Sequence, residues 1–240
     1  MKRQYSAAVL LMIICPFLTA YTQSSVSVPV TISSFTTSVE DQDFNVKTNI
    51  ALAAGKLNGT VIQPGEIFSF NKSVGDGSAA NGFLTGRVLY QDTTAYEAGG
   101  GICQVSSTLF NAMLLAGFNI TERHRHSGSV RYVPAGLDAT IRYGKKDLRM
   151  KNTQVFPLYI YTAINDKSLT IKIKGEKNIP ESYEIFTEEE DINLPFVNNE
   201  NRTIRPGASV YVYRKKILNG TLINTTLLYK DFYPPVNFEK

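Results

Sequence analysis

The chain is 240 residues long, 43% of its residues are hydrophobic, and its formal net charge is +4. This length accommodates one domain of about 150 residues and a second, smaller one, and the apolar content is ordinary for a globular protein with a proper core. The small excess of positive charge gives no support to a nucleic-acid partner or to strong electrostatic attraction to a membrane surface.

The N-terminus carries the pattern of a secretory signal peptide. Lys2 and Arg3 precede an apolar run at residues 7–20, and 14 residues are too few to span a bilayer comfortably. We assign residues 1–22 to a signal peptide and expect a secreted protein that meets the membrane only transiently; an uncleaved anchor is the alternative. Removing Lys2 and Arg3 leaves 23 basic against 21 acidic residues, a net charge of +2.

The next segment predicts a linker followed by a helix. Residues 23–43 are rich in Ser and Thr and are assigned to a linker that runs into an extended segment. Ile50, Ala53 and Leu57 recur at helical spacing, which predicts a short amphipathic helix over residues 44–57. Short strands are predicted at residues 60–62, 68–70 and 87–90, with a mobile glycine-rich loop at 75–86.

A second helix is predicted to start at Cys103, directly after three consecutive glycines at 99–101. A thiol in the first turn lies near the positive end of the helix dipole and near backbone N–H groups that lack intrahelical partners. Both influences favour the nucleophilic thiolate. Loop N–H groups beside glycines can also face a developing oxyanion. The alternative is a buried cysteine that behaves as a small hydrophobic residue. Signal-peptide cleavage would remove Cys15 and leave Cys103 as the only cysteine.

Two histidines, His124 and His126, follow this helix within a basic stretch. The cluster of Arg123, Arg125 and Arg131 is predicted to form a solvated face or to attract an acidic substrate. Residues 130–133 and 138–143 are predicted to be strands.

From residue 148 onward the chain reads as all-β. Alternating apolar residues at 158–162 and 169–173 flank a turn at 165–167 and predict a hairpin with one apolar face. The acidic run at 188–191 is predicted to be a solvated loop, and Asn219-Gly220 predicts a second hairpin. The fold class is therefore α+β: mainly antiparallel β-sheet with a few helices, one starting at Cys103, plus a β-rich C-terminal hairpin extension over residues 176–240.

Several short motifs resemble one known family. They are LNG at 57–59, PGE at 64–66, FSFN at 68–71, GGGICQVS at 99–106, HS at 126–127, YVP at 132–134 and DAT at 138–140. In order and spacing they resemble the VanW domain of exported Gram-positive proteins, some of which are encoded near glycopeptide-resistance genes. The resemblance covers about residues 47–174, and we assign residues 44–175 to this domain.

The resemblance implies a cell-wall protein, in the manner of VanW-type L,D-transpeptidases that form 3-3 peptidoglycan cross-links. The partners would be peptidoglycan stem peptides, with no metal or other cofactor. Cys103 would be the nucleophile and His126 the general base, while Asp138 would orient the imidazole or simply stabilise a turn. Gly100, Gly101 and Gln104 would shape the oxyanion loop. The candidates for substrate binding are Ser106, His124, Arg125 and Arg131.

Three other interpretations stay open at this point. Water in place of the acceptor amine would give a wall peptidase or carboxypeptidase. A packed, inert Cys103 would leave a non-catalytic wall-binding module. Cys103 with His124 and His126 would make a three-ligand zinc site, although nothing else in the chain has ligand spacing.

Overall fold

The computed structural model describes residues 29–90, 93–192, 202–205, 207–234 and 236–239. The predicted signal peptide and residues 23–28 of the predicted linker lie outside these ranges. In the described part of the chain, every helix is too short or too polar to cross a membrane.

The described residues form a mainly antiparallel α+β fold, as predicted. The α-helices are α1 (Phe44–Leu57), α2 (Phe70–Val74) and α3 (Ile102–Leu115), with a short 3-10 helix at Ala79–Asn81. The strands up to the end of the predicted domain are β1 (Val30–Ser38), β2 (Val61–Ile62), β3 (Ile67–Ser69), β4 (Thr85–Tyr90), β5 (Thr93–Ala98), β6 (Asn119–Glu122), β7 (Arg149–Lys151), β8 (Leu158–Ile164) and β9 (Ser168–Gly175). Beyond it lie β10 (Glu181–Ile192), β11 (Arg202–Arg205), β12 (Gly207–Leu218), β13 (Thr221–Tyr233) and β14 (Val236–Glu239).

The central sheet has the strand order β1-β9-β8-β2, and α1 and α3 pack against it. The predicted hairpin of β8 and β9 is confirmed. β1 pairs with β9 along its whole length, from Val30 opposite Gly175 to Ser38 opposite Ser168. Residues 30–38, which the sequence analysis placed in a linker, are thus a strand of this sheet. The physical reason is that their hydroxyl groups find buried partners on α3, with Ser33 Oγ donating to Ala112 O at 2.6 Å.

Helix α1 confirms the predicted limits of residues 44–57. Its N-terminus is capped by Asp43, whose Oδ1 accepts the Val46 N–H at 2.9 Å. The chain leaves the helix through Asn58 and through Gly59, whose φ of +82° suits glycine. Its apolar stripe enters the same core as α3, and the polar Asn49 on that side is buried and fully engaged with backbone groups of Leu84 and Gly100.

Three predictions of strands are wrong in whole or in part. Phe70 begins α2 rather than continuing a strand, because Ser69 Oγ caps the helix by accepting the Lys72 N–H at 3.1 Å. Residues 123–148, with two predicted strands, form an irregular loop in which the one isolated bridge joins Arg142 and Lys146. Side chains of α3 and β13 bond its backbone groups, and none of the described strands pairs with it.

The extension is a three-stranded sheet in the order β10-β12-β13, with a separate pair of β11 and β14. The hairpin at Asn219-Gly220 is confirmed, with positive φ values of 50° and 80° at the two turn residues. The acidic run at 188–191 is a strand and not a loop, because it pairs with β12 while its side chains stay exposed. Two lysines on β12 face glutamates on β10, at 3.8 Å for Lys215–Glu184 and 3.5 Å for Lys216–Glu181.

Candidate active site

Helix α3 is the buried centre of the domain, and Cys103 is the partly exposed residue of its first turn. Twelve of the helix's fourteen residues are buried, whereas Cys103 keeps partial exposure. The helix begins at Ile102, one residue before the predicted start. Its N-cap is Gly101, with a φ of +104° and no side chain to satisfy the first turn's N–H groups. The Cys103 N–H has no hydrogen-bond partner among the described residues, so it is available to a ligand beside the sulfur.

The three glycines before the helix are required by packing inside the protein. A Cβ on Gly100 would lie 2.5 Å from Gly86 C, and one on Gly101 would lie 2.9 Å from the Ile50 side chain. The predicted role of Gly100 and Gly101 is to shape an oxyanion loop. Their contacts instead bring α3 against β4 and α1, and so fix where the first turn and its cysteine lie.

Cys103, His126 and Asp138 lie in one cluster. The His126 imidazole lies close enough to the Cys103 thiol to lower the pKa of that thiol. Nδ1 of His126 donates to Asp138 Oδ2 at 2.6 Å, and the His126 backbone N–H reaches the same oxygen at 2.7 Å. With Nδ1 occupied, Nε2 is the nitrogen available to the thiol. The sulfur also lies 3.6 Å from Thr140 Oγ1 and 3.8 Å from Ile141 O.

The electrostatics of this cluster favour a thiolate and an imidazolium. Burial of Cys103 raises its pKa, but the hydrogen bond and positive charge of His126 outweigh burial and lower it. Burial likewise disfavours a charged His126, yet its hydrogen bonds to Asp138 and Cys103 raise its pKa to about 9. Burial opposes ionisation of Asp138 too, but the His126 hydrogen bond and the Arg123 charge lower its pKa. These shifts favour the ion pair of thiolate and imidazolium over the neutral pair.

Asp138 is held by residues that sequence reasoning did not assign to the site. Its Oδ1 accepts Arg123 Nη2 at 2.9 Å and the Tyr233 hydroxyl at 3.1 Å. Arg123 also binds both oxygens of Asp231, at 2.8 and 2.6 Å. The Arg123 side chain is 5% exposed, so its predicted place on a solvated face is wrong. The carboxylates of Asp138 and Asp231 pair with its guanidinium and so compensate for its loss of hydration.

The loop that carries Asp138 is fastened to α3 by the helix's polar side chains. Ser107 Oγ accepts the Ala139 N–H at 2.9 Å, and Asn111 Nδ2 donates to Leu137 O at 2.7 Å. Ser106, predicted as a substrate-binding residue, is fully buried and donates to Ala139 O at 2.5 Å. It cannot reach a substrate, because its hydroxyl is taken up in fixing the loop.

The remaining predicted site residues point to other partners. Gln104 is buried, and its amide bonds Thr37, Ser38 and Gln42 rather than lining an oxyanion loop. Nε2 of His124 lies 3.0 Å from Glu122 Oε1. Arg125 donates to the backbone oxygens of His126 and Ser127 and stacks on Tyr233, while Arg131 is exposed. Gln104 is therefore a structural residue, because its side-chain amide is used in bonds within the protein.

The zinc arrangement is not assembled. His124 is engaged with Glu122, while His126 is engaged with Asp138 and Cys103. The described residues contain no group of three His, Cys, Asp or Glu side chains placed to hold a metal ion.

The sequence offered a weak signal for one of the missed residues and none for the others. Arg123 belongs to the Glu-Arg pair just before the two histidines, but its charge alone suggested solvent. Asp231 and Tyr233 are about 100 positions downstream of the histidines in chain order. Only the packing of β13 against the loop brings them to Asp138.

The fold and this site define an α+β domain with a cysteine in the first turn of a buried helix and a histidine and an aspartate on the loop that follows it. The family described as VanW like protein matches residues 45–174 of the chain. The match covers more than half of the sequence, and the protein belongs to this family.

Two relatives are similar over different extents. Uncharacterized protein YoaR of Bacillus subtilis (strain 168) is 43% identical over 112 residues, which are 47% of this chain and 37% of YoaR. Vancomycin B-type resistance protein VanW of Enterococcus faecalis (strain ATCC 700802 / V583) is 28% identical over 205 residues, 80% of this chain and 68% of that protein. The chain thus spans little more than a third of YoaR. No solved structure is significantly similar to this one.

Proposed function

We propose that this protein is an exported cysteine acyltransferase that forms 3-3 cross-links between peptidoglycan stem peptides. The observation that carries the proposal is the joint placement of Cys103, His126 and Asp138. An imidazole lies close enough to a partly exposed thiol to lower its pKa, and a buried carboxylate holds that imidazole through Nδ1 at 2.6 Å. An inert packed thiol would need neither partner. Export rests on the N-terminal pattern at residues 1–22.

The first half-reaction follows from the charges of the ion pair. The Cys103 thiolate attacks the carbonyl carbon between the third and fourth residues of a donor stem peptide. The free N–H of Cys103 donates a hydrogen bond to the tetrahedral oxyanion. As the peptide C–N bond breaks, the His126 imidazolium gives its proton to the leaving amine of the terminal amino acid. A thioester and a neutral imidazole remain.

The second half-reaction uses the same groups in reverse. The side-chain amine on the third residue of an acceptor stem attacks the thioester carbonyl, and neutral His126 takes the proton from that amine. The C–S bond breaks, which releases the cross-linked product and regenerates the thiolate. Asp138 keeps Nδ1 protonated throughout, so that Nε2 is the nitrogen that exchanges protons.

A hydrolytic reaction is the second candidate, because the partial exposure of Cys103 also admits water. Water in place of the acceptor amine would make the protein a wall peptidase or carboxypeptidase. Either reaction alters stem peptides, and a link to vancomycin resistance, which the name of the E. faecalis relative states for that protein, is part of this proposal.

The test uses the purified exported chain and peptidoglycan sacculi rich in tetrapeptide stems. Muropeptide profiling should show new 3-3 dimers and an equal amount of released terminal amino acid. Intact-mass measurement with tetrapeptide alone should show an acyl adduct on Cys103. The control Cys103→Ala keeps the fold and should give neither product. Loss of the terminal amino acid without dimers would establish hydrolysis instead, and an unchanged profile would refute both enzymatic functions in favour of a wall-binding module.

A further inference from the structure

The loop that carries Asp138 is clamped from two sides by different parts of the chain. Helix α3 holds one side through Ser107 and Asn111, as described above. β12 and β13 of the extension hold the other side. Val133 and Leu137 of the loop form a separate apolar cluster with Val210, Val212 and Tyr233. The extension therefore packs directly against the segment that supplies the aspartate.

The contact is closest at Gly136, two residues before Asp138. A Cβ at this position would lie 2.8 Å from the Val212 side chain and 2.9 Å from that of Val210, and its φ is +85°. The Gly136 N–H donates to the Tyr233 hydroxyl at 2.9 Å, and the Tyr229 hydroxyl donates to Gly136 O at 2.7 Å. Two tyrosines of one strand thus hold both backbone groups of one loop residue.

Tyr233 also reaches the carboxylate itself. Its hydroxyl accepts the Gly136 N–H, so its own proton is free to be donated to Asp138 Oδ1, 3.1 Å away. Burial and the negative charges of Asp138 and Asp231 raise the pKa of Tyr233, which therefore remains a protonated donor. Together with Arg123 on the same oxygen and His126 on Oδ2, this leaves the carboxylate one orientation.

We propose that Tyr233 of the extension is a positioning residue of the active centre, which holds Asp138 in the orientation that the His126 ring requires. This inference rests on the proposed function. It means that the catalytic unit extends past residue 174, where the family match ends, to β13. Hydrogen bonds to an ionised acceptor are stronger than those between neutral groups, so the Tyr233 hydroxyl restrains Asp138 more firmly than apolar packing alone.

The charged and titratable groups around Asp138 and His126 come from several elements. They are Cys103 of α3, Arg123, Arg125 and Tyr132 of the irregular loop, and Tyr229, Asp231 and Tyr233 of β13. Tyr233→Phe changes none of their charges. It removes one hydroxyl and keeps the ring that packs on Val212 and under Arg125.

The experiment compares Tyr233→Phe with a matched control, Tyr211→Phe. Tyr211 lies on the same sheet, and its hydroxyl bonds Glu190 and Lys230 on the exposed face, away from Asp138. The titration of the His126 ring is followed by NMR in a His124→Gln background, which leaves His126 as the one histidine in the chain. Turnover on tetrapeptide stems gives kcat and KM for the same variants.

In Tyr233→Phe we expect the His126 midpoint to fall by about one pH unit, because the carboxylate can turn away from Nδ1. We expect kcat to fall about 10-fold with KM nearly unchanged. Tyr211→Phe should move neither quantity. If both variants lower the melting temperature equally and leave the His126 midpoint and kcat unchanged, Tyr233 has only a structural role and the inference is refuted.

The readouts also separate this inference from the proposed function. A wild-type His126 midpoint near 6.5, with no acyl adduct on Cys103, would overturn both. A raised wild-type midpoint and an adduct, with Tyr233→Phe indistinguishable from wild type, would overturn the positioning role alone. Should Tyr233→Phe fail to fold, Tyr229→Phe tests the same clamp through Gly136 O, and an unchanged His126 midpoint there would count against the inference.

Discussion

The hairpin of β8 and β9 and the loop at residues 123–148 are held in place by opposite means. In the hairpin, backbone groups bond one another, from Leu158 opposite Gly175 to Ile164 opposite Leu169. In the loop, side chains of α3, Arg123 and β13 bond the backbone. The difference shows where a reactive group can be positioned. Backbone pairing repeats the same bonds along a strand and positions no single side chain. Bonds from individual side chains hold single residues, such as Asp138, in one place.

The largest expected effect comes from the reacting atom itself. Cys103→Ala should abolish transfer and hydrolysis while the unfolding free energy stays close to that of the wild type, because the sulfur contributes little packing at its partly exposed position. Activity assays and denaturant unfolding on the same preparation would check this. Residual turnover close to the wild-type rate would eliminate Cys103 as nucleophile.

Activity should depend strongly on the negative charge of Asp138 in the loop. The hairpin contains no comparable charged residue at the site. Asp138→Asn should lower kcat by about 1,000- to 10,000-fold, because an amide cannot hold the protonated Nδ1 of His126 in the same tautomer. It should also destabilise the fold, since buried Arg123 would lose one of its two carboxylates. Steady-state kinetics and urea unfolding measure the two effects, and an unaltered kcat would show that Asp138 only stabilises a turn.

The hairpin should respond in stability and not in activity. Ile171→Ala on β9 removes a fully buried side chain and should cost about 2–5 kcal/mol of unfolding free energy. The kcat per folded molecule should stay within about twofold of wild type. Leu169→Ala, on the same face and equally buried, is the matched second variant. A large fall in kcat for either would mean that the ladder also positions the site.

Ser107 tests the attachment of loop to helix. Ser107→Ala leaves the Ala139 N–H without its buried acceptor and should cost about 1–3 kcal/mol of unfolding free energy. Because the loop carries Asp138, kcat should fall as well, in contrast to the hairpin variants. The control is Ser73→Ala in α2, which removes a hydroxyl that donates to the O atom of the N-cap residue Ser69. Equal losses of kcat in the two variants would contradict the role assigned to Ser107.

The smallest expected effect is a shift in the pH at which the thiol reacts. Because the lowered pKa of Cys103 keeps its thiolate populated below the usual titration range, native protein should react with iodoacetamide at pH 6–7 faster than a free cysteine, whose pKa is about 8.5. The rate should fall as pH drops through the Cys103 pKa. The imidazolium should persist up to about pH 9. Reaction only after unfolding would indicate a packed, inert thiol.

Much of the fold was predictable because local patterns repeat. Alternation predicted the β8–β9 hairpin, helical spacing predicted α1 with its limits, and Asn219-Gly220 predicted the turn between β12 and β13. The same alternation misled at 130–133 and 138–143, because a strand needs a neighbour and the sequence does not say whether one is present. Residues 30–38 were predicted only as a linker that runs into an extended segment, because their polar side chains find partners on α3 and β9 that the local pattern does not reveal.

For the site, the sequence by itself determined the reactive residue types and their order: a cysteine after three glycines, the histidines beyond the helix, and an aspartate after Gly136. Tertiary structure alone decided that His126 bonds Asp138, that Ser106 and Gln104 are structural, and that Arg123, Asp231 and Tyr233 surround Asp138. The physical reason is that dipoles, turns and periodicity act over a few residues. Burial of charge is a property of the assembled core, which joins positions about 100 residues apart.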